Sequence, residues 1–221
     1  MRTSRPARPR RRRHRERESL PALRAARDDG QASLTVDVYL VRHGETEWSR
    51  SGQHTGSTDI PLTAIGEQEA QALRPRLQSM SFDAVFSSPL QRAVHTAHIA
   101  GYPNPRLTSL LREVDYGEYE GITSKEIRAR QPGWELYKDG CPGGETPGHI
   151  YARALEFIHL CETVNGRVLA FSHGHFLRAL AVAWPRLDIT AAAALDLDVA
   201  TLSRLREDPD HGRLIAMWNA P

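Results

Sequence analysis

Apolar residues along this chain gather in short runs that end in polar, glycine-bearing turns. Residues 34–41 (LTVDVYLV) are rich in β-branched and aromatic side chains and stop abruptly at Arg42, which predicts a buried strand followed by a loop. The same pattern predicts further strands at 84–87, 106–111 and 168–171, and a terminal hairpin with strands at about 198–206 and 213–219.

Helical spacing of apolar residues fills most of the intervals between these strands. Thr63 is the predicted N-cap of a helix that includes residues 67–80, and Pro89 opens a helix that runs to about residue 100. Further helices are expected at 123–131, about 147–164 and 174–184. The polar stretch 45–62 is expected to be a long functional loop. Strands that alternate with helices indicate an α/β fold of three layers, α/β/α, around a mostly parallel sheet.

Composition and charge separate a basic tail from the rest of the chain. The 221 residues are 40% hydrophobic and 25% charged, an ordinary balance for a globular domain with one core. The formal net charge is +2, but residues 1–30 hold 11 arginines against four acidic residues, a net +7, so the remaining 191 residues carry −5. We expect residues 1–33 to be a disordered basic extension and residues 34–221 to form one domain.

The sequence also limits the partners and the compartment. No apolar run approaches the ~18 residues that span a bilayer, and the tail lacks the apolar segment of a secretory signal. Its arginines could attract nucleic acid, but no aromatic side chain is interleaved to stack on bases. Cys141 and Cys161 fit neither a disulfide scaffold nor a metal-ligand spacing. We expect a cytoplasmic protein without membrane or nucleic-acid partners, and a homo-oligomer is compatible with the sequence.

Candidate chemistry lies where the predicted strands end. Because the carboxyl ends of parallel strands meet at one edge of a sheet, we expect the side chains there to converge on a ligand. Arginine offers forked donors that match phosphate oxygens, and glycine lets backbone N–H groups approach an anion. The residues concerned are Arg42-His43-Gly44, the stretch 87–92 that ends at Arg92, Glu113, and Ser172-His173-Gly174.

Two other kinds of site compete with a phosphate site. A metal centre could use His43, His173 and a carboxylate, but the flanking arginines disfavour a divalent cation. A Ser-His-Asp hydrolase would carry a G-x-S-x-G elbow, which the chain lacks. We therefore expect the site to bind an anion, with neither a metal nor another cofactor.

Four stretches in this order, LVRHGETEW, FSSPLQRAVHTA, LREVDYGEYEG and FSHGH, together resemble the histidine phosphatase superfamily, the phosphoglycerate-mutase-like proteins. The resemblance covers roughly residues 36–218. It implies a phosphohistidine mechanism in which His43 attacks phosphorus while a backbone carbonyl holds the proton on its other ring nitrogen. Arg42, Arg92 and His173 would bind the non-bridging oxygens, and Glu113 would protonate the leaving alcohol and then activate water.

The assignment of Glu113 as the proton donor depends most on the resemblance. Asp115, Glu118 and Glu120 lie in the same predicted loop as Glu113, and spacing alone does not separate them. The family pattern places the acid three residues before Tyr116, which selects Glu113. Glu145, inside GGET before a predicted helix, is either a carboxylate that caps or pins a loop or a catalytic one.

A closer resemblance connects the chain to sedoheptulose-bisphosphatase-like and broad-specificity actinobacterial phosphatases. It rests on EWSRSGQHTGSTDIPLT, LREVDYGEYEG, DGCPGGET and SHGHFLR. Arg178 would anchor a second phosphate, and His54 replaces a tyrosine of the fungal sedoheptulose bisphosphatase. The substrate-binding residues implied are Gly44, Ser49, His54, Thr55, Gly56, Tyr116, Gly174 and Arg178.

Hydrolysis and isomerisation differ in whether water or a second substrate reaches the phosphohistidine. Cofactor-dependent mutases of the family carry a longer insertion between the acid and the second histidine, whereas 60 positions separate Glu113 from His173 here. We therefore expect a phosphomonoester hydrolase acting on a small phosphorylated metabolite, such as a sugar phosphate, a sugar bisphosphate or a three-carbon acid phosphate. A 2,3-bisphosphoglycerate-dependent phosphoglycerate mutase and a non-catalytic phosphate-binding module are the alternatives.

Overall fold

A computed structural model of the chain describes residues 36–164 and 166–221, together with Met1. The strands are Asp37–Arg42 (β1), Ala84–Ser87 (β2), Arg106–Leu107 (β3), Arg167–Ser172 (β4), Leu202–Asp208 (β5) and Gly212–Ala220 (β6). The α-helices are Glu47–Ser51 (α1), Ala64–Gln78 (α2), Gln91–Ile99 (α3), Ser124–Arg130 (α4), Leu136–Asp139 (α5), Pro147–Glu162 (α6) and Gly174–Ala183 (α7). Three 3₁₀ turns lie at Ser109–Leu111, Gly117–Tyr119 and Ile189–Ala194.

The six strands form one sheet in the order β3-β2-β4-β1-β5-β6. β1 and β2 both pair in parallel with β4, and β3 pairs in parallel with β2. β5 runs antiparallel to β1, and β6 runs antiparallel to β5, so the predicted terminal hairpin forms one end of the sheet. Four neighbouring parallel strands therefore bring their carboxyl ends to one edge, and the predicted α/β fold with a mostly parallel sheet is confirmed.

The alternation of side chains along β1 shows the three layers. Val38 and Leu40 belong to a core cluster on one face, whereas Tyr39 and Val41 belong to a second cluster on the other. Helices α4 to α7 contribute to the first cluster, and helices α2 and α3 contribute to the second. Both faces of the sheet are thus covered, as the near-continuous apolar runs of the parallel strands predict.

The prediction of an uninterrupted loop over 45–62 is wrong at Glu47–Ser51, which forms helix α1. Thr46 caps this helix reciprocally with Ser49: the Thr46 hydroxyl accepts from the Ser49 N–H at 3.1 Å, and the Ser49 hydroxyl accepts from the Thr46 N–H at 2.8 Å. Two satisfied backbone donors stabilise a helix that is too short to be stable alone.

The predicted strand over 106–111 is also too long, because only Arg106–Leu107 pairs in the sheet. Thr108 then caps a 3₁₀ turn, its hydroxyl accepting from the N–H of Leu110 at 3.3 Å. The Thr63 cap is confirmed, since its hydroxyl accepts from Gly66 N–H at 3.1 Å, although the helix begins at Ala64.

The predicted basic extension at 1–33 and the first two residues of the predicted strand at 34–41 lie outside the described residues, Met1 excepted. The first strand begins at Asp37. Within the described part of the chain, no helix has the length and apolar character needed to cross a bilayer.

Candidate active site

The strand ends bring two histidine rings together. The backbone N–H of His43 donates to the carbonyl of Ser172 at 3.0 Å, which extends the β1–β4 pairing one residue beyond β1. The N–H of Ser88 likewise donates to the carbonyl of Phe171 at 2.9 Å beyond the end of β2. These bonds set the loops side by side, and the ring centroids of His43 and His173 lie 5.1 Å apart at an interplanar angle of 61°.

The tautomer of His43 follows from its hydrogen bond. Its Nδ1 lies 2.7 Å from the carbonyl oxygen of Gly44, which can only accept, so Nδ1 carries the proton and Nε2 keeps its lone pair. Burial lowers the pKa of His43 well below its usual range, and the charges of Arg92 and Arg42 act in the same direction. The ring is therefore a neutral, oriented base with a nucleophilic nitrogen.

His173 is neutral as well, with the opposite tautomer. The Nε–H of Arg92 donates to His173 Nδ1 at 3.1 Å, so the ring proton is on Nε2, which lies 2.8 Å from the hydroxyl of Ser88. Burial and then the Arg92 charge lower the pKa of His173 well below its usual range. Its Nε2–H is the ring's hydrogen-bond donor beside His43.

Arg92 is a fully buried cation held by backbone carbonyls. Beyond its bond to His173, it donates from Nη1 to Thr58 at 2.9 Å and from Nη2 to Thr55 at 2.9 Å and Gly56 at 3.1 Å. Four of its five N–H groups are thus directed at protein acceptors. Arg92 therefore places a fixed positive charge behind His43 and holds the loop at 55–58 beside it.

Arg42 is the guanidinium that faces the cavity. Its Nη1 donates to the carbonyl of Leu197, whereas its buried Nε–H has no hydrogen-bond partner among residues 36–164 and 166–221. A Cβ on Gly174 would lie 3.2 Å from this Nε, so glycine leaves room for the guanidinium. Because Nε is closed to solvent, the donors that can meet an anion in the cavity are the N–H groups of Nη2, which has no acceptor in the described ranges.

Glu113 is fixed at the start of helix α7. Its carboxylate accepts from the backbone N–H groups of Phe176 at 2.8 Å, Val114 at 3.0 Å and His175 at 3.1 Å. These N–H groups at the N-terminal end of the helix hold the carboxyl group in one position. Glu113 faces the same cavity as His43, and this placement separates it from the other acidic residues of its loop.

Those other acidic residues have structural partners. Asp115 accepts from the N–H of Gly117 at 3.0 Å, and Glu120 accepts from the N–H groups of Gly56 and Thr58 at 2.9 Å each. Neither they nor Glu118 line the cavity over His43.

A partly buried ion pair near Glu113 was not foreseen from the sequence. Arg153 binds Glu145 through Nε at 2.9 Å and Nη2 at 2.7 Å, and its Nη1 donates to the carbonyls of Leu110 at 3.0 Å and Arg112 at 2.7 Å. The guanidinium also lies 4.2 Å above the ring of Phe176. Arg153 therefore joins the segment that precedes Glu113 to the helix that receives its carboxylate.

Glu145 has a structural role in this arrangement. Its second contact is the backbone N–H of Asp115, which donates to it at 2.9 Å, and its own N–H donates to the Asp115 carbonyl at 2.8 Å. Of the alternatives left open by the sequence, Glu145 is a carboxylate that pins the loop after Glu113.

A cavity of about 220 Å³ lies over these groups. Arg42, His43 and Glu113 line it, with six of the predicted substrate-binding residues: Ser49, His54, Thr55, Tyr116, Gly174 and Arg178. Arg92 and His173 lie behind this lining. The lining residues that the sequence analysis did not propose are Gly52, Gln53, Ser124, His175, Asp196 and Leu197.

Gly44 and Gly56 do not line the cavity. A Cβ on Gly44 would lie 2.3 Å from the carbonyl oxygen of Gly66, and one on Gly56 would lie 2.5 Å from that of Val114. The N–H of Gly44 donates to the hydroxyl of Thr96 at 3.1 Å. Glycine at both positions permits close backbone packing, which a sequence motif does not distinguish from contact with a ligand.

One part of the cavity wall is aromatic and uncharged. The ring of His54 lies 4.5 Å from that of Tyr116, and its Nε2 is 3.2 Å from the hydroxyl of Ser124. The Tyr116 hydroxyl is 2.6 Å from Nδ1 of His175. Burial lowers the pKa of His54 to about 4 and that of His175 well below its usual range, so both rings are neutral at physiological pH. This wall offers hydrogen bonds rather than charge.

Within residues 36–164 and 166–221, no three His, Cys, Asp or Glu side chains are grouped so that they could hold a metal ion. Cys141 and Cys161 are both buried and free, and burial raises the pKa of Cys141 to about 12. Neither thiol lines the cavity.

Curated relatives share the length of this domain. An acid phosphatase of Mycobacterium tuberculosis is 38% identical over 169 residues, which cover 75% of this chain and 83% of the relative. A sedoheptulose 1,7-bisphosphatase of Saccharomyces cerevisiae is 34% identical over 187 residues, 69% and 68% of the two chains. A 2,3-bisphosphoglycerate-dependent phosphoglycerate mutase of Cytophaga hutchinsonii is 32% identical over 175 residues, 72% and 82%.

Solved structures and a family model agree with these relatives. The structure of an open reading frame of Mycobacterium tuberculosis superposes with a TM-score of 0.80 at 34% identity, covering 83% of this chain and 97% of that one. A family model described as histidine phosphatase superfamily, branch 1, matches residues 38–220. The chain therefore belongs to branch 1 of the histidine phosphatase superfamily.

Proposed function

We propose that this protein is a phosphomonoester hydrolase in which the phosphoryl group passes through Nε2 of His43 to water. The observation that carries the proposal is the environment of that nitrogen. It is neutral, oriented by the Gly44 carbonyl and placed in one cavity with the partly buried Arg42 cation and the Glu113 carboxyl group. A base, an anion site and a proton donor are the three parts that phosphoryl transfer to histidine requires.

In the first half-reaction, Nε2 of His43 attacks phosphorus and the bond from phosphorus to the alcohol oxygen breaks. Glu113, in its acid form, gives its proton to that oxygen as it leaves. The Nη2 N–H groups of Arg42 bind a non-bridging oxygen, and the buried charge of Arg92 stabilises the anion from behind. His173 adds its Nε2–H once it is released from the Ser88 hydroxyl.

In the second half-reaction, Glu113 is a carboxylate. It takes a proton from a water molecule, whose oxygen attacks phosphorus while the bond from phosphorus to Nε2 breaks. Inorganic phosphate leaves, and His43 and the acid form of Glu113 are restored. No step in this cycle needs a metal ion, because the guanidiniums and the imidazole supply the positive charge.

The substrate that we propose is a sugar phosphate or a similar small phosphorylated metabolite. The cavity wall of His54, Ser124 and Tyr116 offers hydrogen-bonding groups suited to hydroxyls, and Arg178 offers a cation for a second anionic group. The relatives named as an acid phosphatase and a sedoheptulose 1,7-bisphosphatase support this class.

The alternative is a phosphoglycerate mutase, which the relative from Cytophaga hutchinsonii favours. The two functions are separated by incubating the enzyme with 3-phosphoglycerate, with and without 2,3-bisphosphoglycerate. We expect phosphate release from some member of a panel of phosphorylated metabolites at matched concentrations, and no interconversion of phosphoglycerates. Fast interconversion with slow phosphate release would replace the hydrolase proposal by the mutase.

We further propose that residues 34–221 are the catalytic domain, that residues 1–33 are an extension outside it, and that the enzyme works in the cytoplasm. The family match to residues 38–220 supports the domain boundary. The two free, buried thiols support a reducing compartment.

A further inference from the structure

The cavity over His43 adjoins a second compartment of about 180 Å³. The two share four wall residues, His54, Ser124, His175 and Arg178, and are therefore neighbours. Neither volume alone reaches the roughly 300 Å³ of a typical small-molecule pocket, whereas the two together do. The outer compartment is therefore placed to receive the far end of a substrate whose phosphate lies at His43.

Arg178 lies at the junction of the two compartments with its guanidinium fixed. Its Nε donates to the carbonyl of Ala192 at 3.0 Å and its Nη2 to that of Ala193 at 3.1 Å, and the group lies 5.4 Å from the centroid of the Tyr137 ring. These contacts leave Nη1 without a protein acceptor in the described ranges. The cation is pre-oriented, so binding an anion costs little side-chain entropy.

Arg128 supplies a second cation in the outer compartment. It projects from the last turn of α4, and its Nε donates to the carbonyl of Trp134 at 3.2 Å. Among the residues that the structure describes, no carboxylate lies within 4.0 Å of either Arg128 or Arg178, although Glu135 lines the same compartment. The compartment therefore has two guanidiniums that are not neutralised by an ion pair.

The charges of Arg128 and Arg178 affect the pKa values of histidine rings in the wall that the two compartments share. Burial, joined by the charge of Arg128, lowers the pKa of His54, and burial joined by that of Arg178 lowers the pKa of His175. The two cations thus act on the same group of neutral rings. The faces of Trp134 and Tyr137 complete the compartment and suit a carbon chain between two anionic ends.

We propose that this outer compartment is a distal anion subsite, with Arg178 as its inner contact and Arg128 as the outer, specificity-determining one. Its ligands are phosphoesters that carry a second anionic group, a phosphate or a carboxylate, several atoms from the phosphate that is cleaved. The proposal deepens the proposed function and rests on it for the position of that phosphate at His43.

The test compares Arg128→Ala with Arg130→Ala in the full chain. Arg130 is exposed on the same helix and lines neither compartment, so its loss changes the net charge equally. The measured quantity is the inhibition constant of each ligand, obtained from the initial rate of 4-nitrophenyl phosphate hydrolysis. A ligand that is itself a substrate competes for the same site and lowers this rate as an inhibitor does. Fructose 1,6-bisphosphate carries a second phosphate, 6-phosphogluconate a carboxylate, and fructose 1-phosphate neither.

We expect Arg128→Ala to raise the inhibition constants of the two-anion ligands about tenfold, and that of fructose 1-phosphate less than twofold. Arg130→Ala should change all three less than twofold, and the comparison of the phosphate with the carboxylate ligand identifies the preferred group. Equal behaviour of the two variants would overturn the subsite, as would an equal shift for all three ligands. So would wild-type protein that binds two-anion ligands no more tightly than fructose 1-phosphate.

Calorimetric titration of the same ligands into Arg128→Ala and Arg130→Ala proteins that also carry His43→Ala repeats the comparison without turnover. Failure of the wild-type protein to hydrolyse 4-nitrophenyl phosphate would count against the proposed function, while the calorimetric ratio between Arg128→Ala and Arg130→Ala still decides the subsite. The two ideas therefore fail separately.

Discussion

The cavity over His43, here called the phosphate end, and the outer compartment beside it, here called the distal end, are built in different ways. At the phosphate end, His43, Arg92 and Glu113 are buried, and each is fixed by backbone groups: those of a strand end for His43, of the loop at 55–58 for Arg92 and of a helix start for Glu113. At the distal end, Arg128 is exposed on the last turn of a seven-residue helix and has one backbone contact. The difference agrees with the proposed division, in which rigidly held groups carry out the chemistry and a side chain that can vary at little cost to the fold selects the substrate.

Replacement of the nucleophile is the strongest way to test the rigid end. His43→Ala should lower turnover by about 10⁴-fold or more on every substrate, because its Nε2 is the nitrogen that attacks phosphorus in the proposed mechanism. Phosphate release measured with several substrates, on protein whose melting temperature is unchanged, checks this. Residual activity within tenfold of the wild type would place the nucleophile elsewhere.

Replacement of the acid should have the next largest effect. Glu113→Gln should lower kcat about 10²- to 10⁴-fold on alkyl phosphates, whose leaving oxygen needs a proton. The loss should be smaller in the first half-reaction with 4-nitrophenyl phosphate, since nitrophenolate leaves without protonation. Single-turnover release of nitrophenol against release of an alkyl alcohol provides the comparison. Equal losses with both leaving groups, or an effect on KM alone, would remove Glu113 from proton transfer.

Arg153 tests whether the rigid end depends on groups that do not touch substrate. Arg153→Lys keeps the charge but loses the fork that joins Glu145 to the carbonyls before Glu113. We expect kcat to fall about tenfold with KM within twofold. Because the two residues form one unit, Glu145→Gln should add little to Arg153→Lys in a double-mutant cycle. Independent, additive effects, or a change in KM only, would assign Arg153 to stability alone.

His54, in the uncharged wall that the two compartments share, should have a small effect on how the stability of the protein depends on pH. The pKa of His54 is lowered to about 4 in the folded protein, against about 6.5 in the unfolded chain. Between these values the unfolded chain binds the proton and the folded one does not, so stability falls as the pH drops below about 6.5.

Between pH 7.5 and pH 5.5 the protonation of His54 in the unfolded chain lowers the free energy of unfolding by about 1 kcal/mol. His54→Gln should reduce the acid-induced loss of unfolding free energy by that amount, as measured by urea denaturation at the two pH values. The other titrating groups are common to both proteins and cancel in the difference. Parallel curves for wild type and variant would contradict a neutral, buried His54.

The phosphate end could be predicted from the sequence better than the distal end. The phosphate end follows from short motifs directly after apolar runs, because His43, Arg92 and His173 sit next to the strands that place them. The same local logic misassigns Gly44 and Gly56 to substrate contact, since glycine also permits the tight backbone packing found there. It also misses α1, whose stability comes from the reciprocal capping by Thr46 and Ser49.

The distal end and the support of the acid could not be predicted in this way. Arg153 reaches carbonyls more than 40 positions earlier in the chain, and the Tyr116–His175 hydrogen bond spans 59 positions. Arg128 enters the outer compartment only because the 123–140 segment packs beside α7 and the 189–194 turn. Contacts between elements distant in sequence depend on packing, which a motif does not record.

The central claim is that the phosphoryl group rests on His43 between the two half-reactions. Rapid mixing of the Glu113→Gln variant with 4-nitrophenyl phosphate, quenching in base and mass spectrometry of the resulting peptides tests it directly. We expect a base-stable, acid-labile phosphoryl group on residue 43, in greater yield than in wild type because the water step needs the carboxylate, and none in the His43→Ala protein. Phosphate release at the normal wild-type rate without that adduct, or an adduct on another residue, would contradict the account.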